Sequence, residues 1–301
     1  MTARGKVRAK KSLGQHFLTD LAVARRIVEA LSPGNAMLPN DALLSGDALS
    51  PGEVLSPGGV GDVLEVGCGM GALTQFLLER NDLTLHGVEV DRESVAYLRE
   101  HFPQFAPRLV VGDFLRIDLP AMFPRGFRVI GNFPYNISSQ ILFRVIACRD
   151  LAPEVVGMVQ REVALRIAGR EGSRDYGIMS VLLQAWYDVE YLFTVGEGAF
   201  DPPPKVKSAV IRLRRNGVKR LDCDEELFVR VVKAAFGQRR KMLRNALRAV
   251  FGDFGGEEHP FFTMRAEALS VSLFVELTNW VESRLRMAQA NQLNRSEPVI
   301  D

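Results

Sequence analysis

Asp62-Val63-Leu64-Glu65-Val66-Gly67-Cys68-Gly69-Met70-Gly71 is the stretch whose reading decides the fold. An apolar run of strand length breaks at three glycines, and Ala72–Arg80 then reads as a helix. Glycines in such a turn let the backbone approach a ligand at a helix N-terminus. Working outward, strands at Thr84–Val90, Arg108–Val111, Arg128–Gly131 and Glu154–Val159 alternate with helical stretches at Arg92–His101, Ser138–Ala147, Glu162–Ala168 and Ile178–Ala185. The alternation predicts an α/β domain of Rossmann-like type, a parallel sheet with helices on both faces. Trp186–Val195 and Ser208–Arg214 read as closing strands with no room for a helix between them, so one should run antiparallel. Residues 1–216 form this domain, 217–286 a small all-helical one, and 287–301 a polar, flexible tail.

Two cofactor classes suit the glycine turn. A dinucleotide fingerprint wants a third glycine where Ala72 stands, and a small-residue variant of it survives. Glu65, two residues before Gly67, sits badly near a pyrophosphate but suits the methionine ammonium of S-adenosylmethionine, an ordering water, or simple capping. Glu89 ends the second strand 18 residues beyond Gly71, where an acid meets a ribose diol. Asp113 ends the third strand and can accept from an adenine amine. S-adenosylmethionine is the better fit, with Gly67 and Gly69 at the turn.

The fourth strand ends in Gly131-Asn132-Phe133-Pro134-Tyr135-Asn136. This pattern suits methylation of an exocyclic amine. The amino nitrogen of adenine is a poor nucleophile because its lone pair is delocalised into the ring. The Asn132 side-chain oxygen and the Phe133 carbonyl can accept its two N–H groups and free that lone pair. Pro134 restricts Phe133 to extended conformations, and Tyr135 offers a flat face to an unstacked base. The leaving group is a neutral thioether, so positioning and electrostatics carry the catalysis, without a metal.

The chain has 301 residues, 47% hydrophobic and 25% charged, which excludes disorder as its dominant state. Three distant cysteines exclude a disulfide scaffold, and no CxxC or Cys/His cluster suggests zinc. No apolar run approaches the roughly 18–20 residues of a membrane span, and the basic N-terminus leads into no signal segment. The sequence reads as a cytoplasmic monomer. Its net charge of +2 is uneven: residues 1–18 carry +5 and residues 205–248 carry +10, leaving −13 elsewhere. Basic segments on an acidic body suggest a polyanion partner. Arg239, Arg240, Lys241, Arg244 and Arg248 are the candidate RNA contacts, with Lys241, Arg244 and Arg248 on one helix face and Met242, Leu243, Ala246, Leu247 and Val250 buried behind it. The alternative is a solvated helix surface. Residues 31–60 fall into five imperfect hexads (LSPGNA, MLPNDA, LLSGDA, LSPGEV, LSPGGV) and read as a repeat-like loop insert without chemistry.

The chain resembles the ribosomal RNA adenine dimethyltransferase family, in its bacterial small-subunit branch. The residues that carry the resemblance are 12–18 (SLGQHFL), 65–71, 89–91, 132–138 (NFPYNIS), 158–164 (MVQREVA), 176–180 (YGIMS), 200–208 (FDPPPKVKS) and 236–245 (FGQRRKMLRN). The resemblance implies that residues 14–18 fold over S-adenosylmethionine, with His16 and Leu18 at its backbone and methionine end. It also places Gly67 against the methionine part, Glu89 on the ribose, Asp113 on the adenine amine and Asn132 on the target amine. Phe200 would stack on the target base opposite Tyr135; its alternative is a core aromatic. The implied partner is the small ribosomal subunit and its 16S RNA, in which two adjacent adenosines of the 3′-terminal hairpin are dimethylated. The family often has Asn in place of His16 and Leu or Pro in place of Phe133. A non-catalytic assembly factor on the same fold, a large-subunit methyltransferase and a DNA adenine methyltransferase are the competing readings.

Overall fold

A two-residue strand β1 (Phe17–Leu18) leads into helix α1 (Leu21–Glu29), whose first turn is capped by the Asp20 carboxylate accepting from Ala22 N and Val23 N. The computed structural model describes residues 7–33, 61–254 and 258–296. The glycine turn lies between β2 (Asp62–Val66) and α2 (Thr74–Leu78). Then follow β3 (Thr84–Glu89), α3 (Arg92–His101), β4 (Leu109–Val111), α4 (Leu119–Met122), β5 (Arg128–Asn132) and α5 (Ser138–Ala147). Strand β6 (Glu154–Gln160) runs directly into α6 (Arg161–Ala168). After α7 (Ile178–Gln184) come β7 (Tyr187–Val195), the two-residue β8 (Phe200–Asp201) and β9 (Ser208–Arg215).

The main sheet has the order β4-β3-β2-β5-β6-β9-β7. Its first five strands are mutually parallel, and β9 runs antiparallel to both its neighbours. One antiparallel closing strand is what the short connection required. Every residue of β2 is buried, as a central parallel strand demands, Glu65 included. From β2 the sheet grows through β3 and β4 on one side and through β5 and β6 on the other. That reversal is the switch point, outside whose carboxyl ends ligands bind. The glycine turn leaves β2 there, and Asn132 ends β5 there.

The amino ends of the strands hold a buried polar knot. Glu154, unexposed at the start of β6, accepts from Ser32 N at 3.1 Å and Ser32 Oγ at 2.7 Å. Arg128, unexposed at the start of β5, donates to Ser32 O at 2.6 Å and Pro33 O at 3.2 Å. Arg80 adds bonds to Leu31 O and Ser32 O, each 3.1 Å. Buried charges persist only with such satisfaction. The chain up to Pro33 is thus rooted at the end of the sheet opposite the switch point, and it resumes at Gly61 beside the start of β2. The rest of the hexad insert lies outside the described residues. Replacing residues 35–58 with a short flexible linker should therefore leave cofactor affinity and methyl transfer within about twofold, because loop closure depends weakly on length. Calorimetry and a turnover assay on the deletion check this; an inactive folded deletion would show that the hexads serve the site.

The C-terminal helices are α8 (Glu225–Gly237), α9 (Leu243–Phe251) and α10 (Val271–Ser296). The chain divides into two compact units, Met1–Leu165 with Trp186–Gly217, and Arg166–Ala185 with Val218–Asp301. A division at 216/217 therefore misses the segment Arg166–Ala185, which lies between two strands in sequence yet packs with the helices. Within that helical unit Tyr176 meets Phe236 edge-on at 6.1 Å, and Gly172 N donates to Glu267 O at 2.7 Å. Helix α10 continues to Ser296, through the first part of the stretch read as a polar tail. Met287, Ala288, Gln289 and Ala290 all favour helix. Among the described residues no helix is long and apolar enough to cross a membrane.

Candidate active site

A cavity of about 230 Å³ opens at the switch point. Its walls are the glycine turn (Gly67, Gly69), the ends of β3 and β4 (Glu89, Asp113), residues 132–137 after β5, and the segment Leu13–Phe17. Gly67, Gly69 and Gly71 all have positive φ, 73°, 54° and 80°. A Cβ on Gly71 would stand 2.4 Å from the Phe102 ring, so the turn admits no other residue there. Among the described residues, those lining it include two acids, Glu89 and Asp113, and no Lys or Arg. That donor set repels a pyrophosphate and fits a cationic nucleoside with a ribose diol and an exocyclic amine. The residues present thus suit S-adenosylmethionine and not a dinucleotide.

Glu89 braces the crevice as well as lining it. Its Oε1 accepts from Val90 N and Asp91 N, both 2.8 Å, and its Oε2 from Gly69 N at 2.9 Å. By count one lone pair on Oε2 remains for a ligand hydroxyl. Burial raises its pKa, against the three N–H bonds that favour the charged form. Asp113 commits Oδ1 to Leu115 N at 2.9 Å and keeps Oδ2 3.6 Å from the exposed Arg116.

Asn132 lines the cavity, and its Nδ2 donates to the His16 carbonyl at 2.9 Å. A carbonyl only accepts, so the amide nitrogen must face it. Among the described residues Oδ1 accepts no hydrogen bond, which leaves it as the acceptor the chemistry requires. Phe133 is buried, and its ring fills the space left by two glycines: a Cβ would approach that ring within 2.9 Å from Gly131 and 2.4 Å from Gly157. Phe133 N donates to Met158 O at 3.0 Å, which ties the turn to β6. The Tyr135 hydroxyl bonds Ser208 Oγ, and burial raises its pKa.

A family model described as ribosomal RNA adenine dimethylase matches residues 6–282. The chain belongs to the ribosomal RNA adenine dimethylase family. It is a methyltransferase, and its methyl donor is S-adenosylmethionine. Among curated proteins, the "Ribosomal RNA small subunit methyltransferase A" of Parabacteroides distasonis is 52% identical, over 90% of this chain and 93% of its own. The protein of that name from Cytophaga hutchinsonii is 49% identical, over 93% of this chain and 99% of its own. Among solved structures, a dimethyladenosine transferase from Plasmodium falciparum superimposes with TM-score 0.61 over 74% of this chain and 90% of its own, at 22% identity. The 23S rRNA methyltransferase ErmE gives 0.56 over 86% and 99%, at 24% identity. At such identities these structures share the fold.

The dimethylase brings together His16, Gly67, Gly69, Glu89, Asp113, Asn132, Phe133 and Tyr135 around one cavity. Leu18 and Glu65 instead line a smaller one of about 40 Å³ beneath the turn, which also touches Asn132. Phe200 is among the lining residues of neither cavity. It is 4% exposed, belongs to the hydrophobic core and pairs with Leu18 across β1 and β8. That burial accords with the core-aromatic reading. The ring stacked on Tyr135 is His16, at 5.4 Å and 29°. A base lying on Tyr135 must use its other face or displace His16.

Residues 10–15 carry a clasp that sequence reasoning missed. Asp91, 2% exposed, takes Lys10 Nζ and, at 3.2 Å, Gln15 Nε2. Lys10 N also donates to Gln15 Oε1 at 2.8 Å. Burial alone would raise the Asp91 pKa, but the bonds from Lys10, Gln15 and Glu93 N outweigh it and hold the carboxyl low. The clasp fixes Leu13–Phe17 as a cavity wall. The Gln15→Ala and Lys10→Ala variants should each speed cofactor dissociation about 3–10-fold, the scale of one net hydrogen bond. Stopped-flow release of the cofactor reads it, and unchanged rates would leave the segment held by Asn132, Pro202 and the β1–β8 pairing instead.

Glu65 is 1% exposed, accepts from Thr74 Oγ1 at 2.6 Å, and is pushed by burial to about 8. A raised acid binds its proton in the folded chain at pH values where the unfolded chain has lost it. Stability should therefore fall as pH rises from about 4.5 to about 8, and flatten above. Glu65→Gln keeps an acceptor for Thr74 and cannot ionise. Thermal midpoints of the two proteins should converge toward pH 5 and separate toward pH 8 in favour of the variant; parallel curves would refute the assignment.

In the helical unit the basic patch departs from expectation. Residues 238–241 form a turn and α9 begins only at Leu243, so Lys241 shares no helix face with Arg244 and Arg248. Leu243, Ala246 and Leu247 are buried as read, but Met242 and Val250 are exposed, 53% and 55%. Arg239 pairs with Glu267, Arg244 with Glu258 and Arg248 with Asp253. Only Arg240 and Lys241 of the five have no ion-pair partner among the described residues.

Proposed function

We propose that this dimethylase methylates N6 of two adjacent adenosines in the 3′-terminal hairpin of 16S ribosomal RNA, working as a cytoplasmic monomer on the small ribosomal subunit. The relatives near 50% identity, named for the small subunit, support that choice of RNA over the large subunit. The observation that carries the chemistry is the Asn132 amide, held by the His16 carbonyl with Oδ1 free at the cavity. S-adenosylmethionine supplies a methyl group on a sulfonium that leaves as a neutral thioether. Asn132 Oδ1 and the Phe133 carbonyl accept the two N–H groups of the target amine and aim its lone pair. Tyr135, steadied by Ser208, carries the base on its ring. Glu89 takes a ribose hydroxyl, Asp113 the cofactor's adenine amine, and Gly67 and Gly69 admit the methionine portion.

Tritium transfer from labelled S-adenosylmethionine to small subunits that lack the modification tests the reading. Four methyl groups per particle on two adjacent adenosines are expected. Binding without transfer would favour an assembly factor, and transfer only to large-subunit RNA would move the substrate.

A further inference from the structure

From the surface around the cavity mouth, we infer that Arg161, Lys205 and Lys207 form a cationic collar that grips the RNA phosphates flanking the adenosine as it enters. The inference rests on the dimethylase reading of that cavity and adds the groups that hold its RNA. The loop between β8 and β9 is fastened at both ends to residues lining the cavity. The Pro202 carbonyl meets His16 Nδ1 at 2.8 Å, and Ser208 bonds the Tyr135 hydroxyl. Only residues 203–207 lie between these fastenings, and Pro202, Pro203 and Pro204 stiffen them. Lys205 and Lys207 are therefore held beside the mouth. The Lys207 carbonyl accepts from Arg161 N at 2.9 Å, which brings the first residue of α6 to the same rim.

All three side chains are exposed, and none has an ion-pair or hydrogen-bond partner among the described residues. The acids nearest in sequence, Glu162 and Asp201, each have an interaction of their own. Arg239, Arg244 and Arg248 would each have to give up a carboxylate to take a phosphate. The collar gives up only water. The charge pattern sorts the substrate: a cavity with two acids and no Lys or Arg among its described lining residues turns phosphates away, and a basic rim takes them while the base goes in.

The test is equilibrium binding of the full chain to unmethylated small subunits between 50 and 200 mM salt. The Lys205→Ser/Lys207→Ser variant should lower the log–log salt slope by about 1.5 and weaken binding at least ~10-fold at 100 mM, as two lost phosphate contacts require. Its S-adenosylmethionine affinity and thermal midpoint should not move, because both side chains are exposed. Lys205→Arg/Lys207→Arg should restore the slope, since charge is what the contact needs. Arg99→Ser/Arg108→Ser removes the same charge near the amino ends of β3 and β4 and should behave as wild type. An unchanged slope in the serine variant, or an equal loss in the Arg99/Arg108 control, would overturn the collar. A wild-type chain that fails to bind the particle would overturn the small-subunit reading and the collar together.

Discussion

Replacing Asn132 by alanine is expected to slow single-turnover methyl transfer at least ~100-fold, the scale of one preorganised polar group, while S-adenosylmethionine affinity stays within several-fold. The amide does two things in opposite directions. Its Nδ2 donates to the His16 carbonyl, and its Oδ1 is left to accept from the target amine. Alanine removes both, but Leu13–Phe17 keeps its second fastening through Lys10, Gln15 and Asp91, so the cofactor wall survives. Asn132→Asp separates the two tasks. An aspartate still offers an acceptor to the amine but faces the His16 carbonyl with a second acceptor, so the wall loosens. The aspartate variant should therefore lose more cofactor affinity than the alanine variant. Rapid-quench measurement on preformed complexes isolates the chemical step. A near-normal alanine rate would remove Asn132 from the chemistry.

The parallel sheet and its crevice were legible because each signal there is local. Asp62–Val66 is an apolar run ended by glycines, and Asn132–Tyr135 follows a second such run. Helices Arg92–His101 and Ser138–Ala147 carry their boundaries in their own sequence and match the structure at both ends. What was not legible is non-local. Strands β1 and β8 are two residues each and exist only because Phe17 and Leu18 meet Asp201 and Phe200 across 183 residues of chain. That pairing buries Phe200 in the core. The clasp is equally non-local, since nothing near Gln15 announces Asp91. A hint lay in Asp91 itself, an acid after Glu89 at a helix start, whose charge needs a partner once buried. The turn at 238–241 interrupts a segment whose residues favour helix, and spacing along a presumed helix therefore aligned Lys241 with Arg244 wrongly. The helices at the two ends of segment Arg166–Ala185 are legible, yet sequence order alone cannot assign the segment to one unit or the other.

Replacing Glu89 by alanine is expected to weaken S-adenosylmethionine binding by at least ~100-fold, about 3 kcal/mol, more than the loss of one ribose contact explains. The carboxylate holds Gly69 N, Val90 N and Asp91 N at 2.9, 2.8 and 2.8 Å. Removing it takes a charged acceptor from the ribose. It also orphans three backbone donors, and the Gly69 end of the turn loses its link to β3. Charge-assisted bonds contribute about 1.5–3 kcal/mol each, though water entering the gap recovers part of that. Glu89→Gln tests which part matters. Glutamine has nearly the same size but presents one NH₂ where an N–H needs an acceptor, so it should bind poorly too, and its thermal midpoint should fall without cofactor present. A ribose contact alone would predict the reverse, with glutamine close to wild type because an amide oxygen or NH₂ can still meet a hydroxyl. Calorimetric affinities for alanine and glutamine variants, set beside their cofactor-free melting, therefore distinguish a ligand contact from a brace. A folded alanine variant with unchanged affinity would take Glu89 out of the site altogether.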